Sequence, residues 1–331
     1  MVNPPSKPNA ARRLGRSDLL VTPIGLGCWQ FSKGKGLVGN YWATLDDTEI
    51  RAIIARGLEG GINWFDTAEA YGGGESERAL SRALRELGKA PGEVIVATKW
   101  NPLLRRASSI GATIGVRLGN LAPYPIDLHQ IHNPYSLSSI ESQVRAMAGL
   151  VREKKVRYIG VSNYSRKQME RAERGLRGLG LPLVANQVRY SLLDRSIETD
   201  GVLESARDLG IAIIAYSPLA QGILSGAFHD DPGLVRRRPG FRKHMSAFKP
   251  KGLEKSRPVI EALRRVAPKY AATAAQVALN WLITFHGEAV VAIPGASRAG
   301  QVPDLTAAMF FRLSGEDLAE LDRVSSPFKK R

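Results

Sequence analysis

The chain has 331 residues with 47 Lys and Arg against 31 Asp and Glu, which gives a formal net charge of +16. It has no run near the ~20 apolar residues that a membrane span requires, and its one cysteine, Cys28, excludes an internal disulfide and a cysteine-based zinc site. We therefore expect a globular protein of a reducing compartment, the cytoplasm.

The start of the chain, MVNPPSKPNAARR, is basic and rich in proline, and it lacks the apolar block of a secretory signal. We expect residues 1–10 to form a disordered tail and residues 11–331 to form a single domain. Within that domain, residues 12–21 place Gly15-Arg16-Ser17-Asp18 between short apolar runs, which predicts a β-hairpin.

After this hairpin, short apolar runs alternate with longer segments of helical spacing. The apolar runs are 23–27, 62–65, 94–98, 126–131, 156–161, 183–187, 211–215 and 289–293, and the clearest helical segments are 45–58, 75–87, 138–153 and 168–176. Eight β/α units with crossover helices predict parallel strands in a closed (β/α)8 TIM barrel, with an open doubly wound sheet as the alternative. Residues 219–257 are rich in Gly, Pro and basic side chains, which predicts a long loop over the barrel mouth after the seventh strand.

Each apolar run ends in a polar group or a turn. In chain order these are Asp66, Lys99, His132, Ser162 with Asn163, Gln187, Tyr216 with Ser217, and Pro294-Gly295. Because active sites of TIM barrels form at the C-terminal ends of the strands, these groups predict one shared site. Strand alternation points His129 and His132 to opposite faces, and we expect no metal.

Three of these side chains, Asp66, Lys99 and His132, together with Tyr71 suit the protonation of a carbonyl oxygen. Tyr71, five residues after Asp66, needs a neighbouring cation to ionise near neutral pH, and Lys99 is such a cation. Asp66 would keep the buried ammonium charged and oriented, and His132 would position a substrate oxygen. No side chain supplies hydride, so this chemistry implies a nicotinamide cofactor. Gly25-Leu26-Gly27 lacks the third glycine of the usual phosphate fingerprint, and Gly72-Gly73-Gly74 is better interpreted as the turn into a helix.

Seven motifs occur in order at strand ends. They are FDTAEAYG (65–72), ATKW (97–100), IDLHQIHNP (126–134), IGVSNY (159–164), NQVRYSLL (186–193), AYSPLAQGIL (215–224) and AIPGAS (292–297). With these motifs the chain resembles the aldo-keto reductase family over nearly its whole length. The resemblance implies an NADP-dependent oxidoreductase that reduces aldehydes or ketones, with a catalytic tetrad of Asp66, Tyr71, Lys99 and His132 and with Tyr71 as the general acid.

The resemblance also implies cofactor-binding and substrate-binding residues. The implied cofactor-binding set is Gly27, Cys28, Trp29, Asp66, Ser162, Asn163, Gln187, Tyr216, Ser217, Leu219, Gln221, Leu224, Ile293, Gly295, Ser297, Arg298 and Gln301. Within this set, Ser162, Asn163 and Gln187 match the contacts to the nicotinamide carboxamide, and Tyr216 matches the aromatic that stacks on the ring. The implied substrate-binding residues are Trp29, Tyr71, Trp100 and His132.

Two positions depart from the family pattern. Ser297 stands where many members carry Lys or Arg, and Leu305 cannot hydrogen-bond to adenine. Arg298 can still pair with a 2′-phosphate, so we expect NADPH in preference to NADH.

Purely structural interpretations stay open for several of these residues. Trp29 and Trp100 also fit ordinary packing at the barrel rim, and Glu69, between Asp66 and Tyr71, is expected to be solvated. We expect a small carbonyl compound as the binding partner, with no specific nucleic acid and no membrane. Two alternatives are an NADPH-binding regulatory subunit of the potassium-channel β type and nucleic-acid binding through the net charge, although the dense basic run 236–243 lies in the predicted loop.

Overall fold

The computed structural model describes residues 10–35, 41–237 and 241–329, and the predicted tail, apart from residue 10, lies outside these ranges. The strands are β1 (Arg12–Arg13), β2 (Leu20–Val21), β3 (Leu26–Gly27), β4 (Trp64–Asp66), β5 (Ile95–Trp100), β6 (Ile126–Ile131), β7 (Val156–Ser162), β8 (Leu183–Arg189), β9 (Ala212–Tyr216) and β10 (Val290–Ile293). The helices are α1 (Asp47–Glu59), α2 (Glu75–Glu86), α3 (Ser108–Leu121), α4 (Ile140–Arg152), α5 (Arg166–Arg177), α6 (Val202–Asp208), α7 (Ala227–Asp230), α8 (Leu234–Arg237), α9 (Pro250–Val266), α10 (Ala274–Thr284), α11 (Val302–Ala307) and α12 (Gly315–Ser325).

Strands β3 to β10 form one parallel sheet in sequence order. Its two edges meet through parallel bridges from Ile24 to Ala292 and from Gly27 to Gly295. Backbone hydrogen bonds at this seam include Gly25 N–H to the Ala292 carbonyl at 2.9 Å. The predicted (β/α)8 barrel is therefore confirmed, and the open doubly wound sheet is excluded.

The N-terminal hairpin closes the end of the barrel opposite the strand C-termini. Strands β1 and β2 pair antiparallel, as predicted, and the buried side chains of Leu14, Leu19 and Val21 join the apolar cluster inside the barrel. Trp64 belongs to the same cluster, and a Cβ at Gly25 would lie 2.3 Å from its indole ring. Only glycine therefore fits at position 25 against this tryptophan.

The excursion after the seventh barrel strand contains more helix than its composition suggested. It includes α7 and α8, and α9 begins at Pro250, inside the segment 219–257 that was predicted to be a loop. That prediction is wrong at its C-terminal end, because proline at the first turn of a helix sacrifices no intrahelical hydrogen bond. Residues 238–240 of the basic run lie outside the described ranges. Among the described helices, none is long and apolar enough to cross a membrane.

Candidate active site

The barrel topology brings Asp66, Lys99 and His132 to one mouth. Asp66 is the last residue of β4, Lys99 lies near the end of β5, and His132 follows β6 directly. These strands are neighbours, with Asp66 beside Ala97 and Lys99 beside Gln130 in the register. The three side chains therefore come from the same end of consecutive strands, as the sequence predicted.

Tyr71 reaches this mouth on the loop between β4 and α2. The next three residues, Gly72, Gly73 and Gly74, have positive φ angles of 68°, 63° and 85°, and Glu75 begins α2. Side chains with a Cβ rarely adopt this conformation, which explains three consecutive glycines here. They form the turn into a helix, as the sequence predicted.

Asp66 and Lys99 form a buried ion pair, with 1% and 0% of their side chains exposed. The second carboxylate oxygen of Asp66 accepts hydrogen bonds from Gln130 Nε2 at 3.0 Å and from Gln187 Nε2 at 2.9 Å. Burial alone would lower the pKa of Lys99, but the Asp66 carboxylate and the Tyr71 phenol together outweigh burial and raise that pKa above its ordinary value. Lys99 is therefore a permanent cation at the base of the site.

The Tyr71 hydroxyl lies 3.5 Å from Lys99 Nζ, and this ammonium is 5.0 Å from the centre of the Tyr71 ring. Burial raises the pKa of Tyr71, and Lys99 lowers it by a smaller amount, so the net shift is upward. The predicted direction of the lysine effect is therefore right, but burial is the larger effect. Tyr71 is a protonated phenol in this state and is available as a proton donor.

His132 faces Tyr71 edge to face, with ring centres 5.7 Å apart. Burial and the Lys99 charge lower the pKa of His132 to about 3. Its imidazole is consequently neutral over the physiological range and can orient a carbonyl oxygen by hydrogen bonding without acting as an acid.

These groups open into one cavity of about 970 Å³ that runs from Tyr71 to the start of α11. Three aromatic rings form one of its walls: Trp29 stacks on Tyr41 with ring centres 4.7 Å apart and lies 6.0 Å from the Tyr71 ring. The Trp29 Nε1 atom is buried and has no hydrogen-bond acceptor among the described residues. Across the cavity, the Tyr41 hydroxyl donates to Gln221 Oε1 at 2.6 Å and thereby joins two of the surrounding loops.

Most of the implied cofactor-binding residues line this cavity. They are Gly27, Cys28, Trp29, Asp66, Ser162, Asn163, Gln187, Tyr216, Ser217, Leu219, Gln221, Ile293, Gly295, Ser297 and Gln301. Near Tyr71, the Tyr216 hydroxyl donates to Asn163 Oδ1 at 3.0 Å, and Asn163 Nδ2 donates to the His132 carbonyl at 3.2 Å. Side-chain amides beside a flat aromatic ring suit a carboxamide attached to a heteroaromatic ring, so the donor set fits a nicotinamide.

Three predicted site residues lie elsewhere. Trp100 is 1% exposed and is absent from the cavity lining, because it follows Lys99 on β5 and so points to the opposite face, where its Nε1 donates to Ser109. The predicted substrate contact of Trp100 is corrected to packing. Leu224 is fully buried in the main core and does not line the cavity either.

Arg298 is the third of these residues. It is exposed beyond the end of the cavity at the start of α11, whereas Leu305 lines that end as a buried side chain. A guanidinium outside the wall contacts a bound group only where that group projects towards solvent.

Two further polar residues belong to the site. Gln130 is fully buried on β6 and donates to Asp66. Because it stands two residues before His132, strand alternation in the sequence already indicates that both side chains point to the same face. Glu69 was expected to be solvated, but it lines the cavity and pairs with Arg105 at 2.7 Å and Arg117 at 3.2 Å. That expectation is wrong because both arginines come from later segments of the chain. The described ranges contain no cluster of His, Cys, Asp and Glu suited to a metal ion.

Comparisons with known proteins agree with this geometry. The model of the Aldo/keto reductase family matches residues 23–326. An uncharacterized oxidoreductase of Mycobacterium tuberculosis is 36% identical, covering 93% of this chain and 91% of the relative, and the chloroplastic pyridoxal reductase of Arabidopsis thaliana is 32% identical, covering 96% and 87%. The solved structure of a glycerol dehydrogenase from Gluconobacter oxydans is similar with a TM-score of 0.83 and 27% identity, covering 98% of this chain and 97% of that one.

Proposed function

This chain belongs to the aldo/keto reductase family of oxidoreductases, and we propose that it reduces aldehydes or ketones to alcohols with NADPH, using Tyr71 as the general acid. The observation that carries the proposal is the Tyr71 hydroxyl, protonated and 3.5 Å from the buried Lys99 ammonium, at a cavity that accommodates a small carbonyl compound.

A reduced nicotinamide, when bound, would supply the hydride that the carbonyl carbon accepts. Tyr71 would donate its proton to the carbonyl oxygen, and the Lys99 ammonium would stabilise the phenolate that remains. The neutral His132 would hydrogen-bond to the same oxygen and orient it. Asp66 keeps Lys99 charged throughout, because the two share a buried ion pair.

The residues that would hold the cofactor fall into groups, each for a different part of the cofactor. Ser162, Asn163 and Gln187 would hold the carboxamide, and Tyr216 would stack on the ring. Gln187 already donates to Asp66, so its amide oxygen is the atom left for the carboxamide N–H₂. The loop of Ser217, Leu219 and Gln221 would lie along the pyrophosphate.

The preference for NADPH depends on Arg298 beside the α11 end of the cavity, where the adenosine would lie. Its guanidinium is exposed and suits a projecting 2′-phosphate. The Glu49 carboxylate, which accepts the Ala299 N–H at 2.5 Å, lies next to it and would repel that phosphate. We therefore expect a modest preference of about tenfold in Kd, equivalent to ~1.4 kcal/mol. Equal affinities for NADPH and NADH, unchanged in Arg298→Ala, would remove the basis for this part of the proposal.

The test is NADPH oxidation, followed by absorbance, in the presence of a panel of aldehydes and ketones. Tyr71→Phe removes the proton donor while retaining the ring, and we expect it to abolish reduction without changing the affinity for NADPH. Full activity in Tyr71→Phe would refute the mechanism. Tight NADPH binding with no turnover on any carbonyl would instead favour the regulatory-subunit alternative.

A further inference from the structure

Glu69 fastens the segment between Asp66 and Tyr71 to the end of β5. Its backbone N–H donates to the Lys99 carbonyl at 3.1 Å, and its side-chain Oε2 accepts the backbone N–H of Asn101 at 3.0 Å. Both bonds lead to the strand that carries Lys99 or to the residue just after it. Glu69 thus joins the segment that carries Tyr71 to the strand that carries Lys99.

The other oxygen of Glu69 holds two cations. Oε1 lies 2.7 Å from Arg105 Nη1 and 3.2 Å from Arg117 Nη1, and only 18% of the Glu69 side chain is exposed. An ion pair at this degree of burial is screened less than a surface pair and is fixed in direction by the planar guanidinium groups. The carboxylate is therefore held from two sides.

Both arginines are themselves fixed. Arg117, 4% exposed on α3, donates from Nε to Glu77 Oε2 at 2.6 Å. Arg105 donates to Ser109 Oγ at 3.1 Å and to Thr113 Oγ1 at 2.9 Å. Glu69 is consequently anchored to a rigid part of the barrel wall formed by α2, α3 and the loop that precedes α3.

We propose that Glu69 is a positioning residue for carbonyl reduction, which keeps the Tyr71 hydroxyl within reach of Lys99 by fixing the segment that carries Tyr71. The inference rests on the proposed function, because that function makes Tyr71 the acid. The Glu69 oxygens are occupied by two arginines and one backbone N–H, so the carboxylate acts through the main chain and transfers no proton to the substrate.

If Glu69 only stabilised the fold, its replacement would lower the melting temperature and leave the rate of the chemical step in the folded enzyme unchanged. A positioning role predicts a slower chemical step at unchanged affinity for NADPH, since a displacement of about 1 Å at the reacting groups costs on the order of 100-fold in rate.

The experiment compares Glu69→Ala and Glu69→Gln with Glu198→Gln. The control carboxylate is also largely buried and pairs with an arginine, Arg195 at 2.7 Å, but Glu198 lies outside the cavity lining. Glu69→Gln retains an acceptor for the Asn101 N–H. Single-turnover reduction of 4-nitrobenzaldehyde is followed with NADPH bound, alongside the Kd for NADPH and the melting temperature. We expect a decrease of about 10- to 100-fold in the single-turnover rate of Glu69→Ala, a smaller decrease in Glu69→Gln and a Kd within about twofold of wild type.

A second readout does not need turnover. With 3-fluorotyrosine at position 71, the ¹⁹F resonance should move in Glu69→Ala and stay in place in Glu198→Gln. An unmoved resonance in Glu69→Ala overturns the inference, as does a Glu69→Ala rate equal to wild type. An equal loss of rate in Glu198→Gln at an equal loss of melting temperature also overturns it. An inactive wild type or a fully active Tyr71→Phe would refute the proposed function instead, and the ¹⁹F measurement still decides the role of Glu69.

Discussion

Replacing Lys99 by Met tests the charge balance at the base of the cavity. Lys99 donates to the Asp66 carboxylate, to the Thr67 carbonyl at 2.9 Å and to the Tyr71 hydroxyl at 3.5 Å, and no part of its side chain is exposed. Lys99→Met therefore leaves a buried carboxylate whose remaining side-chain donors are the amides of Gln130 and Gln187.

The expected cost follows from that burial. Breaking a buried ion pair by removing one partner lowers the free energy of unfolding by about 3–5 kcal/mol, and the two amide donors should place Lys99→Met at the low end of this range. Asp66→Asn combined with Lys99→Met removes the unpaired charge and retains an oxygen that accepts from both amides. We expect this double variant to recover most of the lost stability.

The reaction rate should not recover in the same way. Tyr71 has no neighbouring ammonium in either variant, so we expect a reduction rate about 100- to 10,000-fold below wild type in both. Urea unfolding followed by tryptophan fluorescence gives the stability, and single-turnover NADPH oxidation gives the rate. A double variant that regained its rate together with its stability would refute the assignment of Lys99 to the proton-donor site, and a Lys99→Met variant as stable as wild type would refute the buried ion pair.

Three further outcomes follow from the same geometry. Because the pKa of His132 is about 3, kcat/KM should be level from pH 5.5 to 7.5, and a break near 6.5 that disappears in His132→Gln would contradict this. Burial raises the pKa of Glu198, but His286, Arg195 and Tyr190 together outweigh burial and lower that pKa from 4.5 to about 2. The stability difference between wild type and Glu198→Gln should therefore be complete above about pH 5 and disappear as the pH falls towards 2, and urea unfolding at pH 7 and pH 3 measures it. Trp100→Phe should leave the KM for every carbonyl unchanged, since its ring points away from the cavity, and a shifted KM for only some carbonyls would reinstate a substrate contact.

The sequence predicted the barrel and the meeting of Asp66, Lys99 and His132 at one end of it because both depend on local pattern. Apolar runs end where parallel strands end, so Asp66, Lys99 and His132 mark one mouth before any contact is known. The prediction for Trp100 overlooked strand alternation. Adjacent residues of a strand face opposite sides, and Lys99 faces the inside of the barrel, so Trp100 faces away from it. The helix that begins at Pro250 was missed because its composition resembles that of a loop.

Contacts between distant segments could not be predicted in this way. Glu69 meets Arg117 across 48 positions of the chain, and no periodicity or motif relates the two residues. The burial of Leu224 and the exposure of Arg298 depend on how their loops fold against the barrel, which composition does not determine. Side-chain partners across such loops are set by the tertiary fold.

The hairpin at the closed end of the barrel separates two kinds of mutational sensitivity. Leu14, Leu19 and Val21 pack on the inner residues of the strands, whereas the titratable groups of the site lie at the opposite end. Substitutions in the hairpin should therefore change the fraction of molecules that stays folded on heating. Substitutions at the mouth should change the catalytic rate of the folded molecules. A library screened once for residual activity after heating and once for initial rate would separate the chain into these two regions. Variants selected at the mouth for a new carbonyl compound can then be stabilised at the hairpin with little mutual interference, because distant sites contribute nearly additively.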